Sequence, residues 1–283
     1  MREGVTVPDH GPGPLRTGRL EGETAVVTGG AAGIGRAIAL AFAGEGAHVA
    51  VADIDGQGAA SVAEEIKRSG TNALAVETNV TDEVSVTRMA HAVTAQLGVI
   101  SILVNNAAGD PVDDMLTMST ADWQRDLEVT LTGPFQCTRA VLPGMQAGQH
   151  GSVLNIVSLN AFIALGNEAY SAAKAGLVNL TRSTAVRYGP HGVRANAIAP
   201  GTILTYAPNQ KTRLARDPQV FERLRKWYPL GRVGKPDDIA HAAVFLCSRQ
   251  AAWITGIVLR VDGGLLAGNM PFTRELHGWA ADE

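Results

Sequence analysis

The sequence predicts an α/β protein: one doubly wound domain with a seven-stranded parallel sheet and helices on both faces. Two observations carry this. Apolar runs of strand length alternate with stretches of helical spacing along most of the chain, and such alternation implies a parallel sheet covered by helices. The strand runs are continuously apolar, as expected of strands buried on both faces. No linker and no tandem repeat interrupts the alternation, so residues 20–268 read as a single unit.

Residues 1–19 are rich in Pro and Gly and poor in apolar side chains, the composition of a flexible tail. "TAVVTGG" is the first strand and ends in glycines. "GIGRAIALAFAGEG" gathers Ile34, Ile38, Leu40, Ala41 and Phe42 on one side of a helix, which Gly44 and Gly46 can end. "AHVAVAD" is the second strand. A helical "GAASVAEEIKRSG", a strand "NALAVETNV", a helical "DEVSVTRMAHAVTAQLG" and a strand "ISILVNNAAG" follow. One long helical region runs from about Thr120 to Gly148. "GSVLNIVS" is a strand, "NEAYSAAKAGLVNLTRSTAVRYG" a helix, and "VRANAIAPG" and "GIVLRVDGG" are the last two strands. Beyond them lies an extension, 269–283, whose Phe272 and Trp279 either dock on a neighbour or fray.

The chain has 283 residues, 46% hydrophobic and 18% charged, which leaves room for a sizeable core. A net charge of −3 and a pI of about 6.2 point away from nucleic acid and anionic membrane as partners. The first residues lack an apolar core of signal-peptide length, and no run reaches the roughly 18 apolar residues of a membrane span. A cytoplasmic protein is the expectation. Cys137 and Cys247 lie far apart and read as buried free thiols of a reducing compartment. The seven histidines show no metal-ligand spacing, so no metal is expected.

"VVTGGAAGIGRAIA" sets Gly29, Gly33 and Gly35 between the first strand and the first helix. Glycines there permit a tight turn and close backbone approach to a phosphate, which the helix N-terminus attracts. The spacing is G-x-x-x-G-x-G. A structural turn would also use these glycines, but their place between a strand and a helix favours a dinucleotide. Asp53 ends the second strand, about 20 residues on, where an acid can accept hydrogen bonds from ribose hydroxyls and repel a 2′-phosphate. Ala32 and Ile54 offer no charge to such a phosphate, and Arg36 is the one nearby cation. NAD(H) is therefore expected over NADP(H); Asp53 as a mere helix cap is the alternative.

"EAYSAAKAG" places Tyr170 four residues before Lys174, on one helix face. Such a pair is ordinary on a helix surface; it is also a way to activate a phenol, since an ammonium beside it stabilises the phenolate and lowers its pKa toward the working range.

Four motifs stand in register: T-G-x-x-x-G-x-G as "TGGAAGIG", N-N-A-G as "NNAAG", Y-x-x-x-K as "YSAAK", and a P-G after the sixth strand. In this order they resemble the short-chain dehydrogenases/reductases over about residues 20–268. The resemblance implies a Rossmann-like fold, hydride transfer with a nicotinamide cofactor, and a homotetramer or homodimer. It implies that Tyr170 is the acid/base, that Lys174 tunes it and binds the nicotinamide ribose, and that Ser158 holds the substrate oxygen. It lays Ile34 and Val80 along the cofactor beside the glycine loop and Asn79. It adds Asn105 and Ala107 of the fourth-strand motif, and Pro200, Gly201, Ile203 and Thr205 after the sixth strand. Pro-Gly would equally make a strand-ending turn, and Ser158 a cap.

The chain departs from the family pattern at three places. Thr130 replaces an asparagine that keeps a helix kink, whose carbonyl carries a water to the lysine. A threonine hydroxyl can also bond a carbonyl one turn back. Asn79 replaces an aspartate that meets the adenine, and its amide oxygen can accept the same bond. Ala108 replaces a glycine.

Residues 205–228 correspond to the family's substrate lid. Their excess of Lys and Arg either attracts an anionic substrate or forms a solvated face, and Tyr206, Trp227 and Tyr228 wall a pocket or pack the lid down. Asn160, Phe162 and Asn167 bracket Ser158 and Tyr170 and are the candidate substrate pocket for an alcohol or ketone. The rival readings are an NAD-binding regulatory protein without turnover and a non-redox lyase or isomerase on the same scaffold.

Overall fold

The computed structural model describes residues 18–109, 114–205 and 214–278. Seven parallel strands form one sheet in the order β3-β2-β1-β4-β5-β6-β7, a Rossmann-like arrangement. They are β1 (Thr24–Thr28), β2 (His48–Asp53), β3 (Ala73–Glu77), β4 (Ile102–Asn105), β5 (Gly151–Ile156), β6 (Val193–Pro200) and β7 (Val258–Val261). The helices between them are α1 (Gly33–Gly44), α2 (Gly56–Arg68), α3 (Glu83–Leu97), α4 (Thr120–Leu127), α5 (Gly133–Ala147) and α6 (Glu168–Tyr188). Then come α7 (Val220–Leu224), α8 (Pro236–Cys247) and α9 (Met270–His277).

The continuous apolar runs are explained by core clusters on both faces of the sheet. Ala25 and Val27 of β1, Val49 and Val51 of β2, and Ile102 and Val104 of β4 join α1, α2 and α8 in one cluster. The intervening Val26, Ala50, Ala52 and Leu103 join α3 and α5 in a second, on the other face. Successive side chains of a strand point to opposite faces, so a strand covered on both sides has no polar face to show. β7 departs from this expectation. It is only half-buried, because it pairs with β6 alone and forms the sheet edge.

Chain order reverses between β1 and β4, and such a switch opens a crevice beyond the carboxyl ends of these strands. Thr28 is level with Ala52, Val27 with Val104, and Asn105 with Asn155. The segments that follow β1, β4 and β5 therefore meet at one end of the sheet.

The long helical region expected over Thr120–Gly148 is not one helix. α4 begins with a Ser119–Asp122 capping box, then gives way to a π turn over Glu128–Thr132 before α5. A π turn inserts one residue into the helix and rotates the succeeding turns about its axis. It buries Thr130 fully and sets Gly133 where a Cβ would lie 2.8 Å from Val80 Cγ2.

The expected tail lies outside the described residues up to residue 17. Leu20 is already buried, and its N–H donates to the Glu45 carbonyl. In the C-terminal extension Asn269 caps α9 by accepting from the Phe272 N–H, and α9 packs against the Arg225–Trp227 turn. Trp279 lies outside the described residues.

Candidate active site

The glycine loop turns back on itself where β1 meets α1. Gly29 and Gly33 have φ of 63° and 55°, values that favour glycine. A Cβ on Gly35 would lie 2.1 Å from the Gly29 carbonyl oxygen, so no side chain fits. Ala32 is the N-cap of α1 and provides no side-chain cap, and no acid occupies the first turn. The helix thus presents unpaired N–H groups and its positive end to an anion.

Asp53 is not a helix cap. Asp55 caps α2, accepting from the Gly58 N–H at 2.9 Å. Asp53 Oδ2 accepts the Ala31 N–H at 2.9 Å and Oδ1 the Asp55 N–H at 3.0 Å, which fixes the carboxylate beside the glycine loop. Each oxygen keeps lone-pair capacity for a hydroxyl donor. Arg36 turns away and pairs with both carboxylate oxygens of Glu65 on α2. Ile54 beside Asp53 is exposed. These features fit an adenosine ribose with free hydroxyls, and nothing among Ala32, Arg36 and Ile54 is placed for a 2′-phosphate.

Ser158, Tyr170 and Lys174 come together where β5 ends and α6 begins. Ser158 caps the short turn Leu159–Ala161, its Oγ accepting the Asn160 N–H at 3.2 Å. Lys174 is 2% exposed, and its ammonium donates to the Ile156 carbonyl at 2.6 Å and lies 5.3 Å from the centre of the Tyr170 ring. Burial pushes the Lys174 pKa down to about 7. The phenol of Tyr170 is moved upward from its ordinary value. Burial is the main cause, a hydrogen bond with Ser158 opposes it, and the negative charge of Asp126 adds to it. This corrects the expectation that Lys174 lowers the phenol's pKa. Both groups sit in a desolvated site, and desolvation favours the neutral form of each.

Thr130 occupies the middle of the π turn. Its Oγ1 accepts the Gly109 N–H at 3.4 Å, tying the π turn to the segment after β4. The kink survives without the family's asparagine. Asp126, on the last turn of α4, is 5% exposed, and a Cβ on Gly109 would lie 2.6 Å from its Oδ1. Its carboxylate is therefore packed against the same backbone as Thr130.

The remaining candidates divide. Ala107 lies against the glycine loop: a Cβ on Gly29 would be 3.0 Å from its Cα. Thr205 meets Gly33, at 3.2 Å from the Cβ that residue lacks. Gly201 packs against Tyr228, whose Oη accepts the Thr202 N–H at 2.8 Å, so Tyr228 fastens this loop to the body. Pro200 ends β6 opposite Val261, and Ile203 is buried and bridges to Gly234. Asn105 faces inward instead, its Nδ2 donating to Thr138 Oγ1 and Asn155 Oδ1. Asn79 Oδ1 accepts from the Thr81 N–H and hydroxyl, and Val80 is buried beneath Gly133. Ala108 is exposed. Asn160 has its amide engaged inside the loop between Ser158 and Tyr170. Phe162 is exposed and Asn167 opens α6 at φ 56°. Tyr206, Lys211 and Arg213 lie outside the described residues. In the rest of the lid Arg223 pairs with Asp217 and Arg225 with Glu222, a solvated face.

Two residues escaped sequence reasoning. Asn106 donates from Nδ2 to the Thr28 and Gly29 carbonyls and from its N–H to Thr28 Oγ1, and so locks the glycine loop to β4. It stood inside the "NNAAG" motif, between two residues that were singled out. Asp126 gave no signal, because an acid in a helical stretch ordinarily reads as exposed.

Among the described residues no cluster of His, Cys, Asp or Glu is arranged to hold a metal, and no helix is long and apolar enough to cross a membrane.

A switch-point crevice with a glycine loop and a tyrosine beside a buried lysine defines a dinucleotide-binding α/β protein. The family model described as "Enoyl-(Acyl carrier protein) reductase" matches residues 29–266. The chain is 37% identical to 7alpha-hydroxysteroid dehydrogenase of Escherichia coli K12, covering 87% of this chain and 95% of that one. It is 39% identical to cis-4-hydroxycyclohexanecarboxylate dehydrogenase of Sinomonas cyclohexanicum, covering 86% and 96%. The crystal structure of a short chain dehydrogenase/reductase family oxidoreductase from Burkholderia thailandensis superposes with a TM-score of 0.85 at 39% identity, covering 91% of this chain and 98% of that one. A 7 alpha-hydroxysteroid dehydrogenase complexed with NADH and 7-oxo glycochenodeoxycholic acid superposes at 0.81 with 37% identity, covering 87% and 95%. The chain belongs to the short-chain dehydrogenase/reductase family.

Proposed function

We propose that the protein is an NAD(H)-dependent oxidoreductase that interconverts a secondary alcohol and a ketone, with residues 20–268 as its catalytic domain and 205–228 as its lid. The observation that carries this is the convergence of Ser158, Tyr170 and Lys174 on the crevice that the glycine loop borders. The bare α1 N-terminus and the glycines that a Cβ would fill suit a pyrophosphate, and Asp53 suits the ribose. A nicotinamide dinucleotide bound there supplies hydride donation and acceptance.

The chain's own residues handle the proton. Ser158 orients the substrate oxygen toward Tyr170. Tyr170 gives its Oη proton to a ketone oxygen, or takes one from an alcohol. Burial raises its proton affinity and so favours the protonated, donor form. Lys174, held by the Ile156 carbonyl, is positioned for the nicotinamide ribose. Thr130 holds the π turn against Gly109. Phe162 and Asn167 border the substrate's approach. Relatives named for a hydroxysteroid and a hydroxycyclohexanecarboxylate support an alicyclic secondary alcohol as substrate. Exposed Val186, Trp253 and Ile257 support self-association.

The test is oxidation of NADH and NADPH by the purified protein across a panel of acyl thioesters, keto sugars, steroids, cyclic ketones and keto acids, with Tyr170→Phe as control. NADH turnover on one class that disappears in the control is the expected result. Tight NADH binding with no turnover on any class would overturn it, and NADPH preference would overturn the role given to Asp53.

A further inference from the structure

Asn160 is tied into the loop between Ser158 and Tyr170 through every polar atom of its side chain. Ser158 Oγ donates to Asn160 Oδ1 at 3.0 Å, and the same Oγ accepts the Asn160 N–H at 3.2 Å. On the other side of the amide, Nδ2 donates to Ser171 Oγ at 3.1 Å and to the Gly166 carbonyl at 3.2 Å. Ser171 Oγ donates to that carbonyl as well, at 2.9 Å. A carbonyl can only accept, so the Gly166 contact sets the orientation of the amide and turns Oδ1 toward Ser158.

From this geometry we infer that Asn160 is a positioning residue for the acid–base step: it governs where the single proton of Ser158 points. It also clamps the loop, through Ser171 and Gly166, to the first turn of α6 that carries Tyr170. The inference rests on the alcohol–ketone reading above. A hydroxyl has one proton to donate. Asn160 Oδ1 competes for it with the phenolate of Tyr170 and with the substrate oxygen. While Asn160 holds it, Ser158 stabilises the phenolate less. The clamp also spans a strained point, since Gly166 and Asn167 have φ of 77° and 56°, and a non-glycine residue at such a φ persists only where its surroundings hold it.

The consequence has a sign. Asn160→Ala releases the Ser158 proton to Tyr170, so the phenol titrates at lower pH. Asn160→Asp holds that proton more strongly and adds a negative charge, so the phenol titrates at higher pH. Ser171→Ala removes one of the two acceptors of Nδ2 and shifts the titration in the direction of Asn160→Ala, by less. Apart from the charge that Asn160→Asp adds, the charged groups around the phenol are unchanged in the three variants: Lys174 and Glu168 on its own helix, and Asp126 on α4 and Glu128 in the π turn, the elements packed against that helix.

The experiment is a phenolate-absorbance titration of each protein, with the spectrum of the matching Tyr170→Phe variant subtracted. It reads Tyr170 alone and needs no substrate. The expected result is a midpoint moved by roughly 0.5 to 1 unit, down in Asn160→Ala and up in Asn160→Asp. In turnover, Asn160→Ala is expected to lower kcat by about tenfold with little change in KM. Shifts of the same sign in the two variants, or none in either, overturn the inference. So does a rise in KM at unchanged kcat, which would make Asn160 a substrate contact. If Asn160→Ala does not fold, the signs of Asn160→Asp and Ser171→Ala decide. Failure of the alcohol–ketone reading shows separately, as full activity in Tyr170→Phe or no turnover by the parent protein.

Discussion

Lys174 donates to the main-chain carbonyl of Ile156 at 2.6 Å while its ammonium lies 5.3 Å from the centre of the Tyr170 ring. The lysine is therefore anchored to the end of β5 and lies over the phenol's face. Replacing Tyr170 by Phe removes the proton donor, and kcat/KM is expected to fall by about 10²- to 10⁴-fold, the usual worth of a general acid–base. Lys174→Met is expected to lose a comparable factor and weaken NADH binding as well. Steady-state kinetics and NADH fluorescence titration check both, and a Tyr170→Phe variant within a few-fold of the parent would remove Tyr170 from the mechanism.

The buried carboxylate of Asp126 raises the phenol's proton affinity. In alcohol oxidation Tyr170 acts as base, so kcat/KM rises with pH as the phenol ionises. An anion beside the phenol opposes ionisation, and removing it eases ionisation. Asp126→Asn is therefore expected to move the ascending limb of the profile to lower pH. A limb that stays in place, or moves up, would separate Asp126 from Tyr170.

Asp53 accepts from the Ala31 N–H at 2.9 Å, beside the uncapped start of α1. Asp53→Ser is expected to raise the KM for NADH about tenfold or more, as loss of hydrogen bonds to a charged group implies. Adding Ile54→Arg is expected to give measurable NADPH use. Parallel KM determinations with the two cofactors decide the matter, and an unchanged NADH KM would leave Asp53 as loop scaffolding only.

Glu23, just before β1, meets His150 Nε2 at 2.9 Å at the opposite end of the sheet. Burial pushes the Glu23 carboxyl up, but bonds from His150 and Ser101 outweigh it, and its pKa is lowered. The bond with Glu23 raises that of His150. The carboxylate's contribution to stability is present above its unfolded pKa of about 4.5 and is lost as pH falls through the lower folded value. The imidazolium's contribution is present below about 6.5 and is lost as pH rises through the higher folded value. The pair thus stabilises most between those limits. His150→Ala is expected to lower Tm most near pH 5.5, by the small amount of a pair whose histidine is half-exposed, and to matter little at pH 9. Calorimetry at the two pH values measures this.

Burial pushes both thiols, Cys137 and Cys247, up to about 12. The thiolate is the reactive form. Both are expected to resist a disulfide reagent in the folded protein at pH 8 and to react fully in denaturant. Rapid labelling of the native chain would contradict the packing around α5 and α8.

Much of the architecture was legible in the residues. Val26 and Val27 had to be apolar together because helices cover both faces of β1, and that doubled requirement marks a parallel sheet. Gly29, Gly33 and Gly35 stood out because no other residue fits their turn. Composition and periodicity gave no sign of the π turn at Thr130; only the family resemblance implied a kink there. The turn adds one residue to a helix without any change of composition, so 120–148 read as continuous.

The sequence by itself determined the strand order's raw material, the glycine loop with Asp53, and the Tyr170–Lys174 spacing. Each depends on a local period or on a steric limit of one residue. Tertiary structure decided the direction of the Tyr170 shift, the inward turn of Asn105, the burial of Asp126 and the engagement of Asn160 with Ser158, Gly166 and Ser171. These depend on desolvation and on which groups a folded loop brings within hydrogen-bond reach. Both are properties of the surroundings, and the surroundings of a side chain are made by segments distant in sequence.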